Sequence, residues 1–359
     1  MDNPSPPTDF SLVLAALRDL NTPFPVRFLR SFSDLSRSQV KALIEAWPAI
    51  PDQRKVNLLE DLDNVLEKDT LVNFENLAVA ILPDENSLVR VLALRLLWEC
   101  ENPDILPMVI SLSRNDADEA VRSTSTNLLG KFILMGELET ISGELNELLT
   151  QHLLSIIISR DTPRVKQQAL ESLGYSSHPD VPELIRNAYA SNDNSWVTSA
   201  LCAMGRSADE QWAAQVEESL SSPIPDIQME AIKAAGDLEL DNTKESLLSM
   251  LDSPSVDVDI RMALVWSLSQ IGGDDVREKF DQLLEEVVDE DEIDWIEHAL
   301  ENLEISSSSG LEILDFSPDE ILEQRRNRIE DDDEDVYDDE FDDIDLDDEI
   351  DLYEESEED

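Results

Sequence analysis

Apolar residues along the middle of the chain recur at helical spacing instead of alternating as they do in strands. The clearest stretch is Asp161 to Gly174, with the sequence D-T-P-R-V-K-Q-Q-A-L-E-S-L-G. Val165, Ala169 and Leu173 fall on one helical face, which polar residues and a proline precede and a glycine follows. This pattern predicts an amphipathic helix with a polar start and a glycine stop.

Versions of this helix return along most of the chain. With the β-branched or bulky residue at the start of each copy taken as position zero, the series is Val56, Val89, Val121, Val165, Trp196, Ile227, Ala263 and Trp295. Glycine follows nine positions later in five copies, at Gly130, Gly174, Gly205, Gly236 and Gly272. We expect each of these glycines to end its helix in the left-handed conformation. Segments rich in proline and aspartate, such as 103–109 and 179–185, predict a first helix before each copy.

A repeated unit of two helices indicates an α-solenoid, because one helix pair cannot bury both of its faces. We predict an all-α fold, an α-solenoid of stacked antiparallel helix pairs in a HEAT/armadillo-like superhelix. With its V-R/K-x-x-A-x-x-L-L/x-G pattern, the chain resembles the HEAT-repeat family over residues 36–304. It is most similar to the short bacterial HEAT-like repeat named from phycobilisome lyases. Two copies depart from the pattern, since Glu60 replaces the usual alanine and Arg261 lies out of register with Ala263.

The remaining segments differ in composition. Residues 1–8 are predicted to be a disordered leader, and 9–35 an N-terminal capping helix and turn. The solenoid of about eight helix pairs occupies 36–304, with an insertion near 131–143 that is either a filler loop or part of a binding face. Residues 305–329 are predicted as a Ser-rich linker and a short helix, and 330–359 as a disordered acidic tail.

Charge restricts the choice of partner. The 359 residues include 82 Asp and Glu against 26 Lys and Arg, a formal net charge of −56. The last thirty residues contain 21 of these acids, so the rest of the chain is acidic as well. A negative field opposes binding to a phosphate backbone and favours basic partners. We therefore expect a protein partner with a basic surface and no direct contact with nucleic acid.

Location is suggested by what the chain lacks. Its two cysteines, Cys100 and Cys202, have no metal-ligand spacing, as is usual in a reducing compartment. The N-terminus is acidic and proline-rich, unlike a signal peptide, and no apolar run approaches the ~18 residues of a membrane helix. We predict a cytoplasmic monomer that binds no membrane and no cofactor.

Candidate catalytic chemistry is sparse. None of the three histidines, His152, His178 and His298, is followed by glutamate. The family resemblance brings in deoxyhypusine hydroxylase, which holds two irons with paired His-Glu steps, and the bilin lyases; this sequence matches neither beyond the repeat. Phosphate-binding, dinucleotide-binding and hydrolase motifs are absent from the sequence. We predict no catalytic, cofactor-binding or metal-binding residue, and hence no enzyme.

Basic residues follow position zero in three successive copies. Arg90, Arg122 and Lys166 each come shortly after one or two aspartates or glutamates. Two interpretations remain open. The cations form either a basic ridge for an acidic partner or an internal ladder that bridges acids and carbonyls of neighbouring turns.

Two sets of residues are candidate partner contacts. Positions two and six after position zero are expected on the face of the second helices that points away from the core. They give the set Arg95, Asn127, Gln167, Glu171, Thr198, Met229 and Lys233. In the acidic tail the set comprises the apolar residues Tyr337, Phe341, Ile344, Leu346, Ile350, Leu352 and Tyr353. Ordinary solvated surface and a merely solubilising tail are the alternatives.

Three functional hypotheses follow. The first is a non-catalytic scaffold or adaptor that mediates protein–protein interaction, with an acidic tail for basic partners. The second is an enzyme or enzyme subunit related to the HEAT-like bilin lyases or hydroxylases. The third is an acidic chaperone or nucleic-acid mimic that acts on basic proteins.

Overall fold

The computed structural model describes residues 10–69, 71–253 and 256–315, which contain helices and no strand. The helices are α1 (Phe10–Arg18), α2 (Arg37–Ala46), α3 (Asp52–Lys68), α4 (Glu75–Ile81), α5 (Ser87–Arg95), α6 (Leu106–Asn115), α7 (Glu119–Glu137), α8 (Gly143–Ile157), α9 (Pro163–Leu173), α10 (Val181–Tyr189), α11 (Asn194–Arg206), α12 (Ala213–Ser219), α13 (Pro225–Asp237), α14 (Lys244–Leu251), α15 (Val258–Ile271), α16 (Asp274–Glu286) and α17 (Glu290–Asp315). Short 3-10 turns lie at 26–32, 47–49, 103–105, 210–212 and 241–243. The predicted all-α class is confirmed.

From α2 onward, first and second helices of successive pairs alternate. From α4 to α15 each even-numbered first helix packs against the odd-numbered second helix that follows it. The second helices also stack on one another in the order α3, α5, α7, α9, α11, α13 and α15. The apolar residues between these layers form one core, which runs from Phe10 to Leu303. The predicted solenoid of stacked helix pairs is therefore confirmed.

Polar caps start many of the second helices. The side chains of Asn86, Asp118, Asp193 and Asp257 each accept a hydrogen bond from a backbone N–H in the first turn of α5, α7, α11 and α15 respectively. Such caps satisfy donors that have no partner inside the helix. The helices α9 and α13 instead begin with Pro163 and Pro225, which have no N–H to satisfy. The polar turns between paired helices thus specify where each second helix begins.

Two of the repeated cations form an internal ladder. Arg90 donates to both carboxylate oxygens of Asp116 in the next copy, at 2.7 and 2.9 Å, and to the carbonyls of Asp84 and Glu85 in its own turn. Arg122 repeats this arrangement with Asp161 and with the carbonyls of the turn before it. The ladder interpretation is therefore confirmed for these two arginines. They link neighbouring copies and are not free to form a basic ridge.

The repeated glycines serve helix packing rather than helix termination. Among the five, only Gly272 has a positive φ, of 78°, whereas Gly174 has a right-handed φ of −51°. A Cβ atom on Gly174 would lie 2.7 Å from Cα of Ala203, and one on Gly236 would lie 2.7 Å from Cα of Ser267. Gly130 and Gly205 meet α9 and α13 in the same way. The expected left-handed stop is therefore wrong for four glycines, which are small because the next second helix crosses there.

These contacts also correct the register of the seventh copy. In earlier copies the glycine faces the residue seven positions after the next position zero, as Gly174 faces Ala203 of the copy that begins at Trp196. Gly236 faces Ser267, which places position zero at Ile260 and not at Ala263. Arg261 is then in register, and it donates to Glu292 at 2.9 Å much as Arg90 does to Asp116. Ala263 is out of register because Gly272, nine positions after it, ends α15 and does not occupy the place of the packing glycines in the earlier copies.

Two predicted boundaries differ from the structure. The first half of the insertion at 131–143 is helix and not a loop, because α7 continues past Gly130 to Glu137 and buries Phe132 and Ile133. The serines at 306–309 were expected in a linker, but α17 continues through them to Asp315. Serine costs a helix only about 0.5 kcal/mol per residue, so an established helix extends through a short run. Residues 1–9 and 316–359, with the leader, the acidic tail and its candidate contact residues, lie outside the described part of the chain.

Candidate interaction surface

One side of the stacked second helices is not covered by the first helices. It is formed by the residues six and ten positions after position zero in α5 to α15, and we call it the second-helix face. Its members are Arg95, Glu99, Asn127, Lys131, Glu171, Tyr175, Cys202, Arg206, Lys233, Asp237, Trp266 and Gln270. All of them are at least partly exposed. Most lie on the second helices themselves, whereas Glu99 and Tyr175 lie in the turns that follow α5 and α9.

The structure divides the candidate contact residues into two groups. Arg95, Asn127, Glu171 and Lys233, six positions after position zero, lie on the second-helix face. The others, two positions after it, lie closer to the next second helix. Gln167 donates to Ser195 of the following copy at 2.7 Å, and the Thr198 hydroxyl donates to a carbonyl of its own helix.

Met229 is half-buried on α13. Helix geometry explains the division. With a rotation of 100° per residue, position two lies about 80° around the helix axis from position ten, on the side of the packing glycine at position nine. The seven candidates therefore do not form one continuous patch.

A pocket of about 290 Å³ lies at the N-terminal end of this face. It is lined by residues of α3, of α5 and the turn after it, and of α7, including Arg95, Trp98, Glu99 and Asn127. Arg95 is paired there with Asp63 at 2.5 Å, and Trp98 is 40% exposed. The pocket thus combines an open aromatic ring with both signs of charge.

A second cluster surrounds Glu171 in the middle of the face. The Ser199 hydroxyl donates to one carboxylate oxygen of Glu171 at 2.7 Å, and Gln168 donates to the other at 3.0 Å. Gln168 also donates to Asn127, which connects the two clusters. Burial raises the pKa of Glu171 above its usual range despite the Ser199 hydrogen bond. The negative charge of Glu171 is therefore less well stabilised here than it would be in water.

Arg206 lies beside this carboxylate on an aromatic ring. Its guanidinium carbon is 5.1 Å from the centre of the Tyr175 ring, a cation–π contact. No carboxylate of the described residues lies within 4.0 Å of its guanidinium nitrogens, although Glu171 and Glu230 are near enough to act on it through their charge. Burial raises the pKa of the neighbouring Cys202 thiol, which keeps it protonated and poorly nucleophilic. The cluster is therefore suited to binding charge and not to thiol chemistry.

Sequence reasoning missed Tyr175, Arg206 and Asp237 at position ten. They were overlooked because each glycine at position nine was expected to end its helix. The available signal was the spacing itself, since position ten follows position six by one helical turn and shares its face. Extending the repeat by one residue past each glycine would have found all three.

A buried Ser–His pair resembles a catalytic arrangement, but its protons are placed differently. The imidazole Nε2 of His152 lies 2.8 Å from the Ser113 hydroxyl, and Arg114 lies 3.0 Å from Nδ1. Because an arginine only donates, Nδ1 accepts, Nε2 carries the proton, and His152 donates to Ser113. The serine in turn donates to the carbonyl of Ile110. Burial, reinforced by Arg114, lowers the pKa of His152 to about 4, so the ring is a neutral structural donor and no base for Ser113.

The described residues contain neither a metal-binding cluster nor a membrane-spanning helix. No group of three or more His, Cys, Asp or Glu side chains there has the geometry to hold a metal ion. No helix in that part of the chain is long and apolar enough to cross a membrane.

Comparison with known proteins gives distant structural matches. No protein-family model matches the chain, and neither does any curated protein. Escherichia coli YibA matches with 13% identity over 79% of this chain and 97% of its own, with a TM-score of 0.39. The CpcE–CpcF complex of phycocyanin lyase from Nostoc matches with 18% identity over 64% and 94%, with a TM-score of 0.43. Human deoxyhypusine hydroxylase matches with 15% identity over 83% and 96%, with a TM-score of 0.34.

These matches are HEAT-like helical-repeat proteins, in agreement with the architecture described above. They also overturn one prediction. The expectation that this chain is not an enzyme is contradicted, because phycocyanin lyase and deoxyhypusine hydroxylase are enzymes. A repeat pattern records buried positions, whereas catalytic groups occupy a few open ones, so a solenoid sequence does not mark a protein as non-catalytic. At identities of 13–18% and TM-scores of 0.34–0.43, the matches assign no particular activity to this chain.

Proposed function

We propose that this protein is a scaffold or adaptor that binds a partner protein along the second-helix face. A basic segment of the partner would contact the Glu171 cluster. The observation that carries this proposal is the open, partly buried carboxylate of Glu171 beside an arginine that stacks on Tyr175. An approaching cation stabilises a carboxylate most when the negative charge of that carboxylate is poorly compensated by its surroundings.

The overall charge supports the same partner chemistry. A net charge of −56 accelerates the encounter with a basic surface and disfavours nucleic acid. Direct contacts would make the binding selective, because an extended segment of the partner that lies across α7 to α13 contacts both aromatic and charged groups. The Trp98 pocket at one end would accept a second side chain of the same segment.

A peptide titration tests the proposal. The probe is a fluorescent peptide in which Arg and Lys alternate with Ser and Leu, and the comparison peptide has Glu at every basic position. We expect the basic peptide to bind and to weaken with rising salt, and the acidic peptide not to bind. Glu171→Lys should weaken binding about tenfold and Glu171→Gln about threefold, since each charge step removes part of the local attraction.

Glu183 on α10 provides the matched control. It is an exposed glutamate of a first helix and does not belong to the second-helix face. Glu183→Lys makes the same change in net charge and should leave the affinity within about twofold, because distant charges are screened. Equal losses from both positions would refute a site at Glu171 and leave only non-specific attraction.

A further inference from the structure

The first helices of the N-terminal pairs form a separate surface. α4 has seven residues, whereas its neighbours α2 and α6 have ten each. Val79 and Ala80 of α4 line one pocket together with the larger Ile44 of α2 and Met108 of α6. Small side chains between larger ones leave a hollow of about 650 Å³ over the short helix. This hollow lies on the first helices and shares no residue with the second-helix face.

The hollow continues past the end of α4. A second pocket of about 390 Å³ shares Ile44 and Ala80 with the first one and is also lined by Trp47, Pro48 and Pro83. We call the two together the first-helix groove. Ile44 is 49% exposed and Met108 is 38% exposed, although both are large apolar side chains. A continuous open apolar strip of this kind is characteristic of a docking site.

Exposed acids predominate along the rim of the groove. Asp52, Glu85 and Asp104 line it and are exposed, and Arg37 is its one exposed base among the described residues. Lys55 also lines it, but this lysine is buried and pairs with Asp84 at 2.7 Å. An apolar floor with an acidic rim matches an apolar strip with basic flanks.

We infer that the first-helix groove binds an amphipathic helix of a partner protein, with its apolar side chains over Ala80 and lysines or arginines against the acidic rim. Apolar residues at i, i+3, i+4 and i+7 on such a helix form a strip that suits a groove between parallel ridges. A second copy of this chain is disfavoured as the occupant because it brings the same negative charge. Residues 330–359 are disfavoured for the same reason, since they contain 21 acids and no base.

This inference is independent of the proposed function because the two surfaces share no residue. It gives the protein two docking sites of different chemistry, one apolar and one polar. Two sites on one chain raise the effective concentration of one partner near the other, which is how an adaptor acts without new contacts between its partners.

Binding of a designed helix tests the groove. The probe is a labelled amphipathic peptide with Leu at i, i+3, i+4 and i+7 and Lys at its flanks. One comparison peptide has Glu for Lys, and another has Ser for Leu. We expect the Leu/Lys peptide to bind the full-length protein and both comparison peptides to bind at least about tenfold more weakly. No binding of the Leu/Lys peptide up to about 1 mM would overturn the inference.

Substitutions locate the site. Ile44→Glu places a charge in the strip, and Ala80→Phe fills the floor without adding charge. Both should weaken the Leu/Lys peptide by about tenfold or more. The control is Leu148→Glu on the first helix α8, where the leucine is also exposed, at 53%. An equal effect of Leu148→Glu, or no effect of Ala80→Phe in a variant with an unchanged circular dichroism spectrum, would overturn the inference.

A crossed titration separates the two sites. Ile44→Glu should leave binding of the alternating basic peptide unchanged, and Glu171→Lys should leave the Leu/Lys helix unchanged. Loss of both peptides on either substitution would mean that one acidic surface binds any cation, which also contradicts the inference.

Discussion

Arg122 and Arg206 lie on second helices two copies apart, yet their surroundings differ. Arg122 comes one position after position zero, where its guanidinium is held by Asp161 and two turn carbonyls. Arg206 comes ten positions after position zero and rests on Tyr175 at the other end of the helix. The turn end of the second helices therefore uses its charges to join copies, whereas the far end leaves charge incompletely paired. Binding specificity is expected at the end that stability does not require.

The most severe test of this comparison replaces each arginine by alanine. Arg122→Ala leaves Asp161 and two carbonyls without their donor in a site where both side chains are only 14% and 16% exposed. We expect it to lower the free energy of unfolding by about 2–4 kcal/mol. Arg206→Ala should lower it by less than about 1 kcal/mol, since a part-exposed cation–π contact is worth that much. Urea unfolding followed by circular dichroism measures both, and equal losses would break the comparison.

The packing glycines allow neighbouring second helices to approach each other closely. Gly174→Ala places a Cβ 2.7 Å from the Ala203 backbone, so one of the two helix backbones must shift. We expect a loss of about 1–3 kcal/mol in the free energy of unfolding. Gly143→Ala is the control, because nothing lies within 4 Å of the added atom. It should be neutral or stabilising by up to about 1 kcal/mol, and a similar loss at both positions would contradict the packing role.

Much of the fold follows from local pattern. The stripe of Val165, Ala169 and Leu173 and its copies predict the second helices, whereas the cations after position zero are compatible with both a ladder and a basic ridge until their partners are seen. The glycines were misinterpreted because left-handed termination and close helix crossing demand the same residue. Which of the two roles a glycine has depends on how close the next second helix lies, and the sequence of a single copy does not specify that distance.

The candidate surface was harder to predict for the same reason. Position two was chosen with position six because both point away from the local core. In the stacked helices, however, Gln167 donates to Ser195 of the following copy, whereas Tyr175 and Arg206 lie on the open side. The apolar groove was missed because it results from a difference in length between α4 and its neighbours, not from any motif.

The two ends should respond to pH with opposite signs. The Arg122 hydrogen bond lowers the pKa of Asp161 below 3.8, so this aspartate stabilises the fold above that pH and the gain is lost as the pH falls. Burial raises the pKa of Glu171 above 4.5, so its contribution is present below that pH and is lost as the pH rises.

At pH 7 Asp161→Asn should therefore lower the free energy of unfolding by about 1 kcal/mol, and Glu171→Gln should raise it by up to about 1 kcal/mol. Both differences should shrink as the pH is lowered towards 4 and below. Urea midpoints measured at several pH values check this, and a Glu171→Gln variant that is less stable than the parent at pH 7 would contradict the sign.

The smallest expected effect concerns Arg206 itself. If this arginine partly compensates Glu171, it competes with a basic partner for the same carboxylate. Arg206→Gln should then raise the affinity for the alternating basic peptide by about threefold, with a change in stability within about 0.5 kcal/mol.

Arg186 offers a matched control, because it also stacks on an aromatic ring, 5.8 Å from the centre of Trp212, but lies on the first helix α10. Arg186→Gln removes the same charge and should leave the affinity unchanged. Weaker binding of Arg206→Gln would instead mean that Arg206 orders the Tyr175 surface for its partner, which would place it among the contacts and not among the competitors.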